Sequence, residues 1–184
     1  SVHYRRPTSW GTFTAQLTGS VLLHLKTQYS LTEPEYDGAG YPADGGAAKL
    51  KSNGILFWER GNWAAGWSVQ HYGKYRQYGA AGGPLSMQYT GGAVFSTVVA
   101  AQGSETIPSQ TYHDIFASYA FGKKATNDGQ WARPASILAG MTIQVGVRNV
   151  FGKLPPYDAG YSFYTSPYGD IRLRSYSLSV RKSF

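Results

Sequence analysis

The sequence predicts an all-β chain, antiparallel and up-and-down, with about six long strands of the kind that build a transmembrane β-barrel. Three observations predict it. Apolar residues recur at every second position over stretches longer than the about five or six residues of an ordinary soluble strand. Long and shorter connections alternate along the chain, as outer loops and periplasmic turns do in such barrels. Trp, Tyr and Phe gather near the ends of the apolar rows, at Trp58, Trp63, Trp67, Tyr119, Phe121, Tyr176 and Phe184, where amphipathic rings meet lipid headgroups.

Composition narrows the remaining classes. The 184 residues include 17 Lys+Arg and 10 Asp+Glu, a formal charge of +7, and 42% are hydrophobic, enough to argue against wholesale disorder. With no Cys, disulfide scaffolds, thiolate metal sites and Cys nucleophiles are excluded. The longest aliphatic run, Val21-Leu22-Leu23, is far too short for a spanning helix, whereas a mean hydropathy of -0.33 is compatible with spanning strands. Because the chain begins at Ser1 with neither Met nor a signal peptide, its first residue is expected to be a processing or truncation point.

Taken in order, Val2 to Tyr4 reads as the tail of a strand. Phe13, Ala15, Leu17, Gly19, Val21, Leu23 and Leu25 then form an apolar row opposite Thr14, Gln16, Thr18, Ser20, Leu22 and His24. A loop from about 32 to 48 leads to a shorter row at Leu56 and Trp58. Glu59-Arg60-Gly61-Asn62 predicts a tight hairpin, with Gly and Asn supplying positive φ, before the row Trp63, Ala65, Trp67 and Val69. After a long stretch from about 78 to 110 comes Ile115, Ala117, Tyr119 and Phe121. A polar connection from 122 to 134 precedes Ile137, Ala139, Met141, Ile143, Val145 and Val147. A loop from 152 to 168 precedes Tyr176, Leu178, Val180 and Phe184. Apolar positions at helical spacing never outscore the alternation. The opposite parity is mostly Thr, Ser, Gln and Gly, small polar groups suited to a packed or wet lumen. The core-facing row of a β-sandwich would alternate in the same way.

Three segments carry a family likeness: Thr111 to Phe121, Met141 to Pro156 and Ser175 to Phe184. They resemble the carboxy-terminal strands of TonB-dependent outer-membrane receptors. In that family a strand ending in Asn-Leu-Phe-Asp with a Pro pair precedes an outer loop, and the last strand closes on Phe. Here Arg148-Asn149-Val150-Phe151-Gly152 with Pro155-Pro156 fills the place, Val150 and Gly152 departing from it. Gly11-Thr12-Phe13 and Phe57 to Trp63 look like earlier strands of the same family. The resemblance implies that residues 1–184 are the carboxy-terminal part of a barrel of roughly 22 strands, the plug domain and TonB box lying outside this chain. It implies uptake of a scarce large nutrient, such as an iron-siderophore complex, at the bacterial outer membrane, energised through TonB. It also implies a transporter rather than an enzyme, without a cofactor. Implied partners are outer-membrane lipid and lipopolysaccharide, the plug and remaining strands, TonB, and the barrel-assembly machinery, which would read Tyr176, Leu178, Val180 and Phe184 as a terminal signal. Lys182 takes a slot that is apolar in the family and would snorkel.

With the carboxyl end periplasmic, the loops at 32 to 48, 78 to 110 and 152 to 168 would be extracellular. Tyr72, Lys74 and Arg76 would then share the lumen parity at the outer end of a strand, touching an anionic ligand or the plug, with Tyr75 and Tyr78 near the headgroups. Arg148 takes the lumen parity of its own strand, and Arg172 and Arg174 take the lipid parity near lipopolysaccharide phosphates. Each candidate chemistry has a plainer alternative. Glu33-x-Glu35-x-Asp37-Gly38 with Asp44 mimics a calcium loop but lacks flanking helices, so a solvated acidic loop is its alternative. His3, His24, His71 and His113 show no metal-ligand spacing. His71 to Tyr78 interleaves bases and rings like a single-strand nucleic-acid platform, but no basic face continues it, and nucleic acid is not expected. Neither a nucleophile elbow nor a phosphate loop is present. A secreted carbohydrate-binding β-sandwich, its Trp and Tyr rows stacked on sugar rings, is the competing function; a membrane lipase or protease barrel ranks third.

Overall fold

The structure, a computed structural model, describes residues 1–28, 30–32, 35–42, 45–76, 100–122, 138–160 and 164–183. In chain order the strands are β1 (Val2–Thr8), β2 (Gly11–Val21), β3 (Lys26–Thr27), β4 (Tyr36–Asp37), β5 (Leu50–Arg60) and β6 (Trp63–Tyr72). They continue with β7 (Tyr75–Arg76), β8 (Thr106–Ile107), β9 (Gln110–Ala120), β10 (Met141–Arg148) and β11 (Ser175–Lys182). The chain is all-β and antiparallel. Seven strands form one open sheet in the order β1-β2-β5-β6-β9-β10-β11, an up-and-down meander with β1 and β11 at its edges. β3 with β4, and β7 with β8, make two small side sheets.

The register sorts side chains cleanly. On one face the cross-strand row Tyr4, Ala15, Leu56, Trp67, Ile115, Val147 and Tyr176 lies next to the row Phe13, Trp58, Ala65, Ala117, Val145 and Leu178. The other face carries Thr12, Glu59, Ala64, Ser118, Gln144 and Ser179, then Thr14, Phe57, Gly66, Phe116, Gly146 and Ser177. β2, β5 and β9 have 11 residues and β6 has 10, the length of about 9 to 11 that a tilted strand needs to cross a bilayer. Among the described residues no second layer covers the apolar face. Leu17 keeps 56% of its surface, Trp63 55%, Leu178 71% and Tyr176 73%. Among the described residues no helix is long and apolar enough to cross a membrane.

Several expectations are corrected. The sheet has seven strands rather than about six, because the tail at Val2 is a full strand, its alternation hidden by Arg5, Arg6 and Pro7. β2 stops at Val21, short of Leu25, because the Leu25 N–H donates to the Asp37 carboxylate at 2.8 Å instead of to a neighbouring strand. β5 runs from Leu50, well before Leu56. β10 starts at Met141; Ala139 lies in a turn that Gly140 closes at φ 74°, and Ile137 lies outside the described residues. In the β5–β6 hairpin Gly61 alone takes the positive φ, at 56°; Asn62 does not.

All three long connections, 22–49, 73–109 and 149–174, leave from one end of the sheet, and the loops at 9–10, 61–62 and 121–140 from the other. The small buried core sits at the long-connection end, where Ala48, Tyr75 and Ile107 pack against Tyr168.

Candidate functional site

Asn149 turns the chain off β10. Its φ of 48° is a left-handed conformation that Asn tolerates better than most residues. Its N–H donates to Asp114 Oδ1 at 2.8 Å, and its side-chain amide bridges the Lys153 carbonyl and N–H at 2.8 and 2.9 Å. The connection then folds back over the polar face. There Gln110 Nε2 donates to Ser166 Oγ at 2.6 Å, and Tyr112 Oη donates to Gln110 Oε1 at 2.7 Å, all buried. Two residues on, the Tyr168 ring stacks on Tyr72 at 4.8 Å with the Lys51 ammonium 5.0 Å from its centroid. Its hydroxyl accepts the Ala48 N–H at 2.7 Å. Lys51, Tyr72, Gln110 and Tyr112 all lie on the polar face.

Between this strap and the sheet lies a cleft of about 430 Å³ lined by Gln70, Tyr112, Asp114, Arg148, Asp170 and Ser175, among others. Asp170 accepts a two-pronged hydrogen bond from Arg172, with a closest approach of 2.7 Å, and this holds its carboxyl down at about 2; Arg148 adds a smaller push in the same direction. Arg148 itself makes no ion pair among the described residues, so its guanidinium is open to an anionic group in the cleft.

A second recess of about 290 Å³ opens among the long connections. Lys49, Lys74 and Arg76 line it together with Tyr41, whose ring the Arg76 guanidinium faces at 6.0 Å. The four residues proposed from sequence are therefore divided. Arg148 lines the first cleft, Tyr72 supports the ring above it, and Lys74 and Arg76 belong to the second recess. The parity that joined Tyr72 to Lys74 and Arg76 ends at Gly73, whose N–H bonds to the Leu50 carbonyl at 2.8 Å, and Arg76 continues in β7. Tyr75, expected near the headgroups, is buried against Ile107 and Ala48, its hydroxyl donating to Asp158 Oδ2 at 2.7 Å. Arg172 and Arg174 precede β11, so its lipid-facing parity does not extend to them.

Sequence reading missed Lys49, Asp114 and Asp170. Asp114 was legible as the one acid on the polar parity of β9; Lys49 and Asp170 reach their sites only through loop folding. Tyr176, Leu178 and Val180 stand on the apolar face of the edge strand β11. Phe184, Tyr78, Glu33 and Asp44 lie outside the described residues. Asp37 is engaged by the Leu25 and Ala39 N–H groups and by His24 Nδ1 at 2.7 Å, and Glu35 pairs with Lys26 at 3.5 Å. Among the described residues no group of three or more His, Asp or Glu could hold a metal ion. His71 Nδ1 meets Thr111 Oγ1 at 2.8 Å, and the His113 ring stacks on Trp67.

In comparisons with known proteins, the chain matches no family model, no curated protein and no solved structure.

Proposed function

We propose that this chain is the carboxy-terminal barrel portion of an outer-membrane active-transport receptor of the TonB-dependent kind. It takes up a scarce large nutrient such as an iron-siderophore complex. One observation carries the reading: a sheet face rich in Leu, Val, Ile, Trp and Tyr lies uncovered by any second layer among the described residues, with side chains such as Leu178 still 71% exposed. A water-soluble protein rarely leaves a contiguous apolar patch of that extent uncovered, whereas a bilayer covers it at no polar cost. The length of β2, β5, β6 and β9, a polar opposite face, and the 149–174 connection folded over that face suit a barrel wall whose wet side receives ligand. The unpaired edges of β1 and β11 would be completed by the remaining barrel strands, since an open edge is not viable in lipid.

In this reading the ligand enters from the long-loop end. It meets Arg148 in the first cleft, while Lys49, Lys74 and Arg76 gather negative charge at the second recess. Arginine offers an anionic group two parallel N–H donors, which fixes orientation as well as charge. TonB, engaging the amino-terminal part, then supplies the energy for release.

The chain has no Cys, so single cysteines on neighbouring positions test the two faces. In intact outer membranes Leu178→Cys is expected to resist a water-soluble maleimide and to react once SDS is added. Ser177→Cys, on the opposite parity, reacts more readily from the aqueous side. Equal reactivity at both positions, or recovery of the protein from the soluble fraction, would refute the barrel. Ligand uptake that persists without TonB would refute the energised receptor.

A further inference from the structure

On the apolar face, at the end carrying the short hairpins, lies a groove of about 430 Å³. Trp63, Tyr119 and Phe121 form its aromatic wall, meeting edge-on at 4.7 and 4.8 Å, and Ala117, Ser118, Ile143 and Val145 complete the lining. The charges around it are one-sided. Within the strands of the described sheet this face carries three cations, Arg6, Arg60 and Lys182, and no Asp or Glu. All three sit toward the short-hairpin end. Arg60 is the cross-strand partner of Trp63 on one flank of the groove, and Lys182 is the partner of Met141, one step beyond Ile143, on the other. The Arg5–Glu59 pair, by contrast, lies on the polar face.

From this placement we propose that the groove is a binding site for an anionic phospholipid of the leaflet at the short-hairpin end. An acyl chain lies along the wall formed by Trp63, Tyr119 and Phe121, and Arg60 holds the headgroup phosphate. The proposal rests on the membrane reading above. Both halves of the ligand are specified by the site. An aliphatic and aromatic trough binds hydrocarbon without regard to charge, and Trp and Tyr rings are at home at the headgroup level. Arg60, the cross-strand partner of Trp63 on a face whose strands carry no Asp or Glu, favours phosphate carrying net negative charge over a zwitterion. One Lys or Arg near a membrane surface favours anionic lipid by about fivefold.

The test compares lipid adducts on the detergent-extracted full receptor by native mass spectrometry, using phosphatidylglycerol and phosphatidylethanolamine of identical chains. Wild type should retain phosphatidylglycerol about fivefold better. Arg60→Gln should bring the two lipids to near parity, Arg60→Lys should restore most of the preference, and Trp63→Ala should lower retention of both. Lys26→Gln, which removes a cation at the opposite end, should leave the preference unchanged. Equal retention by wild type, or an undiminished preference in Arg60→Gln, overturns the site. If Leu178→Cys is shielded in membranes while the preference is missing, the lipid site alone fails. If that cysteine is open to water, the membrane reading fails and the lipid site with it.

Discussion

The hydroxyl of Tyr75 donates to the carboxylate of Asp158 at 2.7 Å, joining the 73–109 connection to the 149–174 connection at a point where Asp158 is 1% exposed. The other carboxylate oxygen accepts the Gly160 N–H at 3.1 Å. Burial raises the Tyr75 phenol far above its ordinary value, so it remains a donor across the physiological range. Tyr75→Phe keeps the ring among Ala48 and Ile107 but leaves a buried carboxylate short of a donor. A loss of about 1 to 3 kcal/mol is expected, read as earlier proteolysis of the 149–174 connection on heating. The phenol's folded value lies above its unfolded value, so this contribution is fully present below about pH 10 and is lost only as pH rises beyond that.

Tyr168 unites all three long connections, through its hydroxyl to Ala48, its edge to Tyr75 at 5.7 Å and its face to Tyr72. Tyr168→Phe removes one hydrogen bond and should cost about 1 kcal/mol. Tyr168→Ala also removes the ring and should cost about 3 to 5 kcal/mol. Hydrogen exchange separates the two: both variants lose protection at the Ala48 amide, but only the second should also loosen the Gly73 and Arg76 amides beside Tyr72 and Tyr75.

Arg148→Ala is expected to weaken ligand binding at least tenfold, since a charge-assisted hydrogen bond contributes about 1.5 to 3 kcal/mol. Assembly should be unaffected, because Arg148 makes no ion pair among the described residues. Heat-modifiable electrophoretic mobility checks assembly and a ligand titration checks affinity. Unchanged affinity would remove Arg148 from the site.

The rows Trp63 to Val69 and Ile115 to Tyr119 were legible because each strand alternates without interruption, and the register confirms that they share one face. β1 was nearly illegible because Arg6 takes an apolar-face position opposite Phe13. β5 was half-hidden because Ser52 and Gly54 lie on its apolar face while Ile55 and Phe57 lie on its polar one. Such exceptions weaken a two-residue period without weakening backbone pairing, which depends on neighbouring strands that a single segment does not reveal. The division of Tyr72 from Lys74 and Arg76 was illegible for a different reason. Parity can be counted only while a strand lasts, and β6 ends at Tyr72, with Arg76 belonging to β7. Lys49 meets Lys74 through contacts between separate connections, and no local pattern encodes those.

Gly66 faces Phe116 across β6 and β9, and a Cβ at this position would run into the Phe116 ring. Phe116 in turn lies 6.2 Å from Phe57, so the ring has an aromatic neighbour limiting its retreat. Gly66→Ala is expected to destabilise the sheet by about 1 to 3 kcal/mol. Adding Phe116→Ala should recover part of that loss, a coupling that independent sites would not display. Urea unfolding of the four proteins in one detergent completes the cycle.

Asp37 organises the start of the 22–49 connection through three donors: the N–H groups of Leu25 at 2.8 Å and Ala39 at 3.0 Å, and the His24 ring at 2.7 Å. The Leu25 N–H, followed by His24 and then Ala39, holds the carboxyl well below the usual carboxylate range. Since the folded value is depressed, the stabilisation is fully present above the unfolded value of about 3.9 and disappears as pH falls through the folded one. The Leu25 and Ala39 amides should therefore remain protected from hydrogen exchange at pH 5 and lose protection progressively in stronger acid. Asp37→Ala should abolish their protection at every pH. Asp37→Asn should retain part of it, because the amide oxygen can still accept both backbone donors, and should erase the acid dependence. Protection that responds to pH equally in Asp37→Asn and wild type would show that another group governs the connection.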